Sequence, residues 1–174
     1  MKTCLCWHYT LFVFALVLVS TFLPTDAHAA VSNSSSDTVS AATIIMLTNT
    51  DRTLHAAAPL SDNALLDTAA QAKADDMVAG SYFAHYSPSG VSPWHWFTAA
   101  GYAYTHAGED LALNFTNSET LEAAWMASPT HRANILKSVY TETGVGVAHG
   151  TYLGSPAVFI VELFATPTHT NPAL

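Results

Sequence analysis

Both cysteines of the chain, Cys4 and Cys6, lie ahead of an apolar run from Leu11 to Leu23, and everything after that run is cysteine-free. Lys2 precedes the run, Pro24 ends it, and Ala27, His28 and Ala29 give the small-x-small pattern of a secretory cleavage site. Residues 1–29 are therefore read as a signal peptide, and the secreted chain must hold itself together by its core alone. Leu5 to Leu23 also just reaches spanning length, so an uncleaved N-terminal membrane anchor is the alternative. Disulfide scaffolds are excluded.

The material for a core is present, since 174 residues, 50% of them hydrophobic and 10% charged, suit one domain. With 5 Lys+Arg against 13 Asp+Glu the formal charge is −8, which cannot neutralise a phosphate backbone. Nucleic acid and anionic membrane surfaces are set aside as partners. Residues 30–41 are polar and Ser-rich and read as a disordered leader, whereas residues 166–174 carry two prolines without periodicity and read as a flexible tail. The folded unit is expected over residues 42–165.

Within it, Ile44, Ile45, Leu47 and Leu54 predict a first helix before a turn at Pro59. Ser61 is read as the N-cap of a long helix ending at Gly80, with Leu66, Ala70, Ala74 and Met77 on one face. Asp67, Gln71 and Asp75 form a second stripe, expected to face solvent. Ser92-Pro93 starts a third helix. Thr116 with Glu119 has capping-box spacing, with Ser118 as the alternative cap, for a helix carrying Leu121, Ala124 and Trp125. Ser128-Pro129 restarts it, placing His131 in the first turn. Gly144 to Ala148 and Ala157 to Phe164 are strand candidates, with a further one between Tyr102 and Leu113. Helices first and strands late give the α+β class.

Three residues stand out chemically: His85 after the long helix, Glu109 after Gly108, and His131 at a helix start, where the dipole favours the neutral imidazole that a metal needs. Two imidazoles and a carboxylate suit an open zinc site, although no His-x-x-x-His pair supports one by spacing. Ser87 is read as a turn hydroxyl before Pro88 rather than a nucleophile. His55, His95, His106, His149 and His169 are read as solvated. Glu162 interrupts an apolar strand on the face of Val158, Ile160 and Phe164, so it needs a partner, and a structural hydrogen bond is the preferred reading.

The order and wording of these pieces carry a resemblance. They are Asn49 with Arg52, Pro59-Leu60, the run Phe83-Ala84-His85-Tyr86-Ser87, the run Gly108-Glu109-Asp110-Leu111-Ala112, the segment from Trp125 through Ser128-Pro129-Thr130-His131-Arg132-Ala133-Asn134 to Leu136, and Gly144-Val145-Gly146-Val147-Ala148. From Leu47 to Phe164 the chain resembles the CAP superfamily, or SCP domain, of cysteine-rich secretory, antigen 5 and pathogenesis-related proteins, in its cysteine-free bacterial form. The resemblance implies a three-layer α/β/α sandwich with a mainly antiparallel central sheet. It also implies a cleft gathering His85, Glu109 and His131. The acidic residue that eukaryotic members carry three positions after the helix Trp falls here at Ser128. Asp110 stands where the family usually has Asn, and Glu162 where the last strand often has Gln.

Such domains have been linked to lipid binding, proteolysis, zinc-dependent behaviour and cell-wall or host interactions, so no single reaction is implied. The expectation is a secreted, monomeric binding or interaction module for an extracellular ligand: a lipid, a cell-wall component or a protein. His85 and His131 are its candidate ligands for Zn2+ or another divalent cation, and Trp125, Asn134 and Glu162 are expected to be structural. One alternative is a metal-assisted, protease-like hydrolase with Glu109 as general base. The other is a structural His/Glu network without site chemistry.

Overall fold

The computed structural model describes residues 38–168; the expected signal peptide, residues 30–37 of the expected leader and residues 169–174, His169 among them, lie outside the described residues. Ser40 Oγ accepts from Thr43 N–H at 3.2 Å and starts helix α1 (Ala41–Leu54). Helix structure thus reaches into the Ser-rich stretch, because the small hydroxyls that mark a solvated leader also cap helices.

Strand β1 (Ser61–Asp62) precedes α2 (Ala64–Ala79), whose cap is Asn63 rather than Ser61, with Asn63 Oδ1 accepting from Leu65 N–H at 2.9 Å. Ser61 cannot serve, because its N–H and that of Asn63 donate to Thr141 and Thr143 carbonyls and hold the segment extended. Helix α3 (Trp94–Ala99), strand β2 (Tyr104–Leu113), helices α4 (Ser118–Ala127) and α5 (Pro129–Ile135), and strands β3 (Glu142–Tyr152) and β4 (Ser155–Pro167) follow. Asn117, not Thr116 or Ser118, caps α4, while Ser128 and Pro129 open α5 as expected.

The sheet order is β1-β3-β4-β2, with β4 antiparallel to both β3 and β2. The two-residue β1 joins β3 in parallel, so the mainly antiparallel sheet is mixed. β4 continues to Pro167, past the expected start of the tail, because its last residues still pair with β2. On one face of β4, Phe159, Val161 and Leu163 pack with Leu66, Ala70 and Met77 of α2 and Phe97 of α3. On the other, Ile160 and Phe164 pack with Ile44, Leu121, Trp125 and Ile135 from α1, α4 and α5. This alternation produces the three layers.

Side chains meet outward backbone groups on both sides of the sheet, along β3 past its pairing with β1 and along β2. At β3, Val145 N–H donates to Asp67 Oδ1 at 2.9 Å and Val147 N–H to Gln71 Oε1 at 3.1 Å. Four helical residues and two strand residues both advance about 6 to 7 Å, so the two rows match. The approach is close enough that a Cβ on Gly146 would sit 2.3 Å from the Ala70 backbone. Asp67 and Gln71 therefore serve the sheet rather than simply facing water; Asp75 is exposed. At β2, the carbonyls of Ala107, Glu109 and Leu111 accept from Tyr140 OH at 3.0 Å, Asn134 Nδ2 at 3.3 Å and Trp125 Nε1 at 3.2 Å. Trp125→Phe keeps most of the packing and orphans one carbonyl, so urea unfolding should show a loss of about 1 to 2 kcal/mol. No measurable loss would mean that water reaches the Leu111 carbonyl.

Two buried cations add cross-links. Arg52, fully buried, donates to the carbonyls of Ala58, Ile135, Lys137 and Tyr140 at 2.7, 2.6, 3.1 and 3.3 Å, tying α1 to the end of α5 and the approach to β3. Lys73, equally buried, donates to Tyr82 OH and to the carbonyls of Ala84 and His85 at 3.0, 2.9 and 3.0 Å. Among the described residues no helix is long and apolar enough to cross a membrane.

Candidate functional site

The outer border of β2 lies where the two helical layers part, and the sequence brings three segments to it. Lys73, beneath the loop after α2, fixes the carbonyls around His85. β2 carries Glu109, and the break at Ser128 turns the chain so that α5 presents Asn134 to β2. His85 Nδ1 meets Glu109 Oε1 at 2.6 Å; the histidine side chain is 55% exposed and the carboxylate 1%. The hydrogen bond to Glu109 is the main reason that the His85 pKa is raised, against the opposing effect of burial. With Nδ1 engaged, Nε2 is the ring nitrogen left open.

These residues border a cavity of about 410 Å³, walled also by Tyr86, Trp94, Lys137 and Tyr140. His131 is not in its lining, and its Nδ1 lies 2.9 Å from Ser128 Oγ, with the ring beside Trp125. Burial and then the charge of His85 lower the His131 pKa, so the two histidines are close enough to sense one another. The structure thus brings His85 and Glu109 into contact, whereas His131 stands apart from the pair and senses it only through charge. His55, His95, His106 and His149 are exposed, as expected. Ser87 Oγ accepts from Val91 N–H at 3.0 Å, a turn role.

Whether this donor set fits a divalent ion is decided by its nitrogens. Both imidazoles use Nδ1 for an oriented hydrogen bond and keep Nε2, the usual arrangement for metal-binding histidines. Among the described residues, however, no group of three His, Cys, Asp or Glu side chains converges to hold a metal. The set does not fit a closed structural zinc site, and each histidine offers at most one nitrogen, Nε2.

Behind Glu109, on the opposite face of the sheet, lies a buried acid network. Asp110 Oδ1 accepts from Asn134 Nδ2 at 2.8 Å, and burial pushes the Asp110 pKa up to about 7. Glu162, fully buried, has its two oxygens 3.1 Å from Thr143 Oγ1 and 3.2 Å from Thr48 Oγ1. Thr143 Oγ1 also lies 3.0 Å from the Leu163 carbonyl, and Thr48 Oγ1 3.3 Å from Glu122 Oε2. Each hydroxyl has one proton for two acceptors, so a protonated Glu162 completes the network by donating to a hydroxyl oxygen. Burial raises Glu162 well above the carboxylate range and Glu122 to about 8. Glu162 is thus held by hydrogen bonds to two threonines and senses the charges of Glu122 and Asp110.

Residues 45–164 match the sequence model of the cysteine-rich secretory protein family, CAP. The chain belongs to the CAP family. Among relatives of this CAP domain, Bacillus subtilis (strain 168) YkwD is 38% identical over 103 residues, 59% of this chain and 40% of that protein. The membrane protein YlbC of the same organism is 31% identical over 115 residues, covering 66% of this chain and 33% of that protein. The chain thus spans less than half the length of either relative. Among solved structures, an extracellular SCP-domain protein from Bacillus anthracis str. Ames superposes with a TM-score of 0.61 at 26% identity, covering 72% of this chain and 39% of that one. An outer surface protein of Borrelia burgdorferi gives a TM-score of 0.62 at 16% identity, covering 73% of this chain and 92% of that one, a likeness of fold. Within the CAP domain, Lys73 is the site residue that sequence reading missed: a helical lysine reads as solvated, and its partners are backbone carbonyls with no signature of their own.

Proposed function

We propose that the chain is a secreted, extracellular CAP-domain binding module whose ligand enters the cavity at His85 and Glu109. The observation that carries this reading is the 2.6 Å His85–Glu109 pair, with a half-exposed imidazole at the cavity and its carboxylate buried behind it. Such a pair is pre-organised for recognition, since the ring is already oriented before a ligand arrives. Extracellular placement is supported by the signal pattern of residues 1–29 and by neighbours described as extracellular and outer-surface proteins. Binding is favoured over hydrolysis because one Glu109 oxygen orients His85 and the other is buried, whereas a general base must meet the attacking water.

A divalent cation belongs to this reading as a weak occupant, held by Nε2 of His85 and His131 with water completing its shell; there it would supply a Lewis-acidic contact for an oxygen-bearing ligand. Zinc titrated into the protein should raise its melting temperature, and His85→Ala should remove that rise, on top of a lower metal-free melt caused by the unpaired Glu109 carboxylate. The effect should fade below about pH 6.5, as protons compete for imidazole. An equal response from wild type and His85→Ala would sink the metal component.

A further inference from the structure

The positive charge of this acidic chain is not spread over its surface. The sequence has five Lys and Arg residues: Lys2, Arg52, Lys73, Arg132 and Lys137. Lys2 lies outside the described residues, and Arg52 and Lys73 are fully buried on backbone carbonyls. Arg132 and Lys137 therefore carry the exposed fixed positive charge of the described residues, one on α5 and one just after it. Neither has a carboxylate partner there, since the ion pair among those residues is His85 with Glu109. Lys137 lines the cavity, with its ammonium 5.1 Å over the Tyr140 ring and a long 3.5 Å contact to Tyr140 OH, so it has donors to spare. On a chain of formal charge −8, Lys137 is the exposed fixed cation that an anion can meet at this cavity, where the Glu109 carboxylate is buried against His85.

The cavity also bears flat apolar surface. Tyr86 is 58% exposed and Trp94 38%, and both line it. An exposed indole or phenol ring that protein packing leaves uncovered offers a platform for a ligand with one apolar ring face. The cavity volume is within the range of small-ligand sites, and its open form suits a ring lying on a wall rather than a long tail needing enclosure.

We propose that the cavity takes an acidic saccharide: a sugar ring carrying a carboxylate, with the ring on Trp94 and Tyr86 and the carboxylate on Lys137. This deepens the binding reading above, names its ligand class, and does not depend on the metal. Arg132, outside the lining, adds attraction at a distance and sets the salt dependence.

The test is calorimetric titration of the secreted protein with trigalacturonate, its methyl ester, and decanoate. Trigalacturonate should bind, weakening as salt rises. The methyl ester should bind at least tenfold more weakly. Lys137→Ala should cost trigalacturonate tenfold or more, and Lys137→Glu should abolish its binding; the position is exposed, so both changes should leave the melt unchanged. Trp94→Ala should weaken both saccharides together. Equal affinity for acid and ester, indifference to Lys137→Glu, or binding of decanoate alone would each overturn the proposal. Zinc titration of Lys137→Glu separates this from the function above: a retained zinc response with no saccharide binding by wild type fails only the ligand class. Saccharide binding without any zinc response fails only the metal.

Discussion

Replacing Arg52 by Met should remove at least about 4 kcal/mol of stability, more than any surface substitution could, and should sharply lower the yield of folded protein. Arg52 donates to four carbonyls from three parts of the chain, and all of its side chain is buried. Met fills much of the volume but supplies no donor, so carbonyls that water does not reach lose their partners. Arg52→Lys should recover only part of the loss, because an ammonium has three donors and no planar fork to span four acceptors. Urea midpoints for the three proteins decide the matter. A loss below about 1 kcal/mol for Met would mean that water enters and replaces the guanidinium.

Stability should also fall as pH rises from about 5 to about 8, which is the reverse of acid denaturation. Glu122, from 4.5 to about 8, and Asp110, from 3.8 to about 7, have folded pKa values raised by burial, and burial raises Glu162 well above its ordinary value too. A raised folded pKa means that the folded state holds its proton longer. Its contribution is fully present below the unfolded value and is lost as pH climbs through the folded one. The groups facing these acids are Asp51 and Thr48 beside Glu122, Arg52 and Thr143 beside Glu162, and His85, Glu109 and Asn134 beside Asp110. His85, also raised, works in the same direction, and His131, lowered, works against it. At about 1.4 kcal/mol per pH unit for each group that stays protonated only when folded, a net loss of several kcal/mol is expected. Glu162→Gln should flatten this slope and exceed wild type in stability at pH 8. A pH-independent urea midpoint for wild type would contradict the protonated network.

What could be read from the sequence follows from where each partner lies. The face Leu66, Ala70, Ala74 and Met77 is fully buried because helical period alone specifies it. The restart at Ser128-Pro129 is equally local. The Asn63 cap is not: Ser61, Asp62 and Asn63 are all good caps, and the choice is made by pairing with Thr141 and Thr143, far along the chain. Asp67 and Gln71 look solvated for the same reason, since nothing near them announces the strand they serve. At the site, His85 and Glu109 are 24 positions apart, and only the family resemblance leads one to expect their pairing. Lys73 and the acid partners of Glu162 are matters of burial, which residue type does not reveal.

The side chains that take outward backbone groups along β3 and β2 have a consequence for how copies of this chain meet. An open strand edge is a template on which a second chain can add its own strand, the first step toward ordered aggregates. Along β2 alternate carbonyls are taken by Tyr140, Asn134 and Trp125, and along β3 alternate amides are taken by Asp67 and Gln71. A domain without disulfides opens locally more readily than a stapled one. Here the residues that take these groups also anchor α2, α4 and α5, so exposing a template along them requires peeling away a helix. Resistance to aggregation and resistance to unfolding are therefore set by the same hydrogen bonds, and Trp125→Phe should weaken both together.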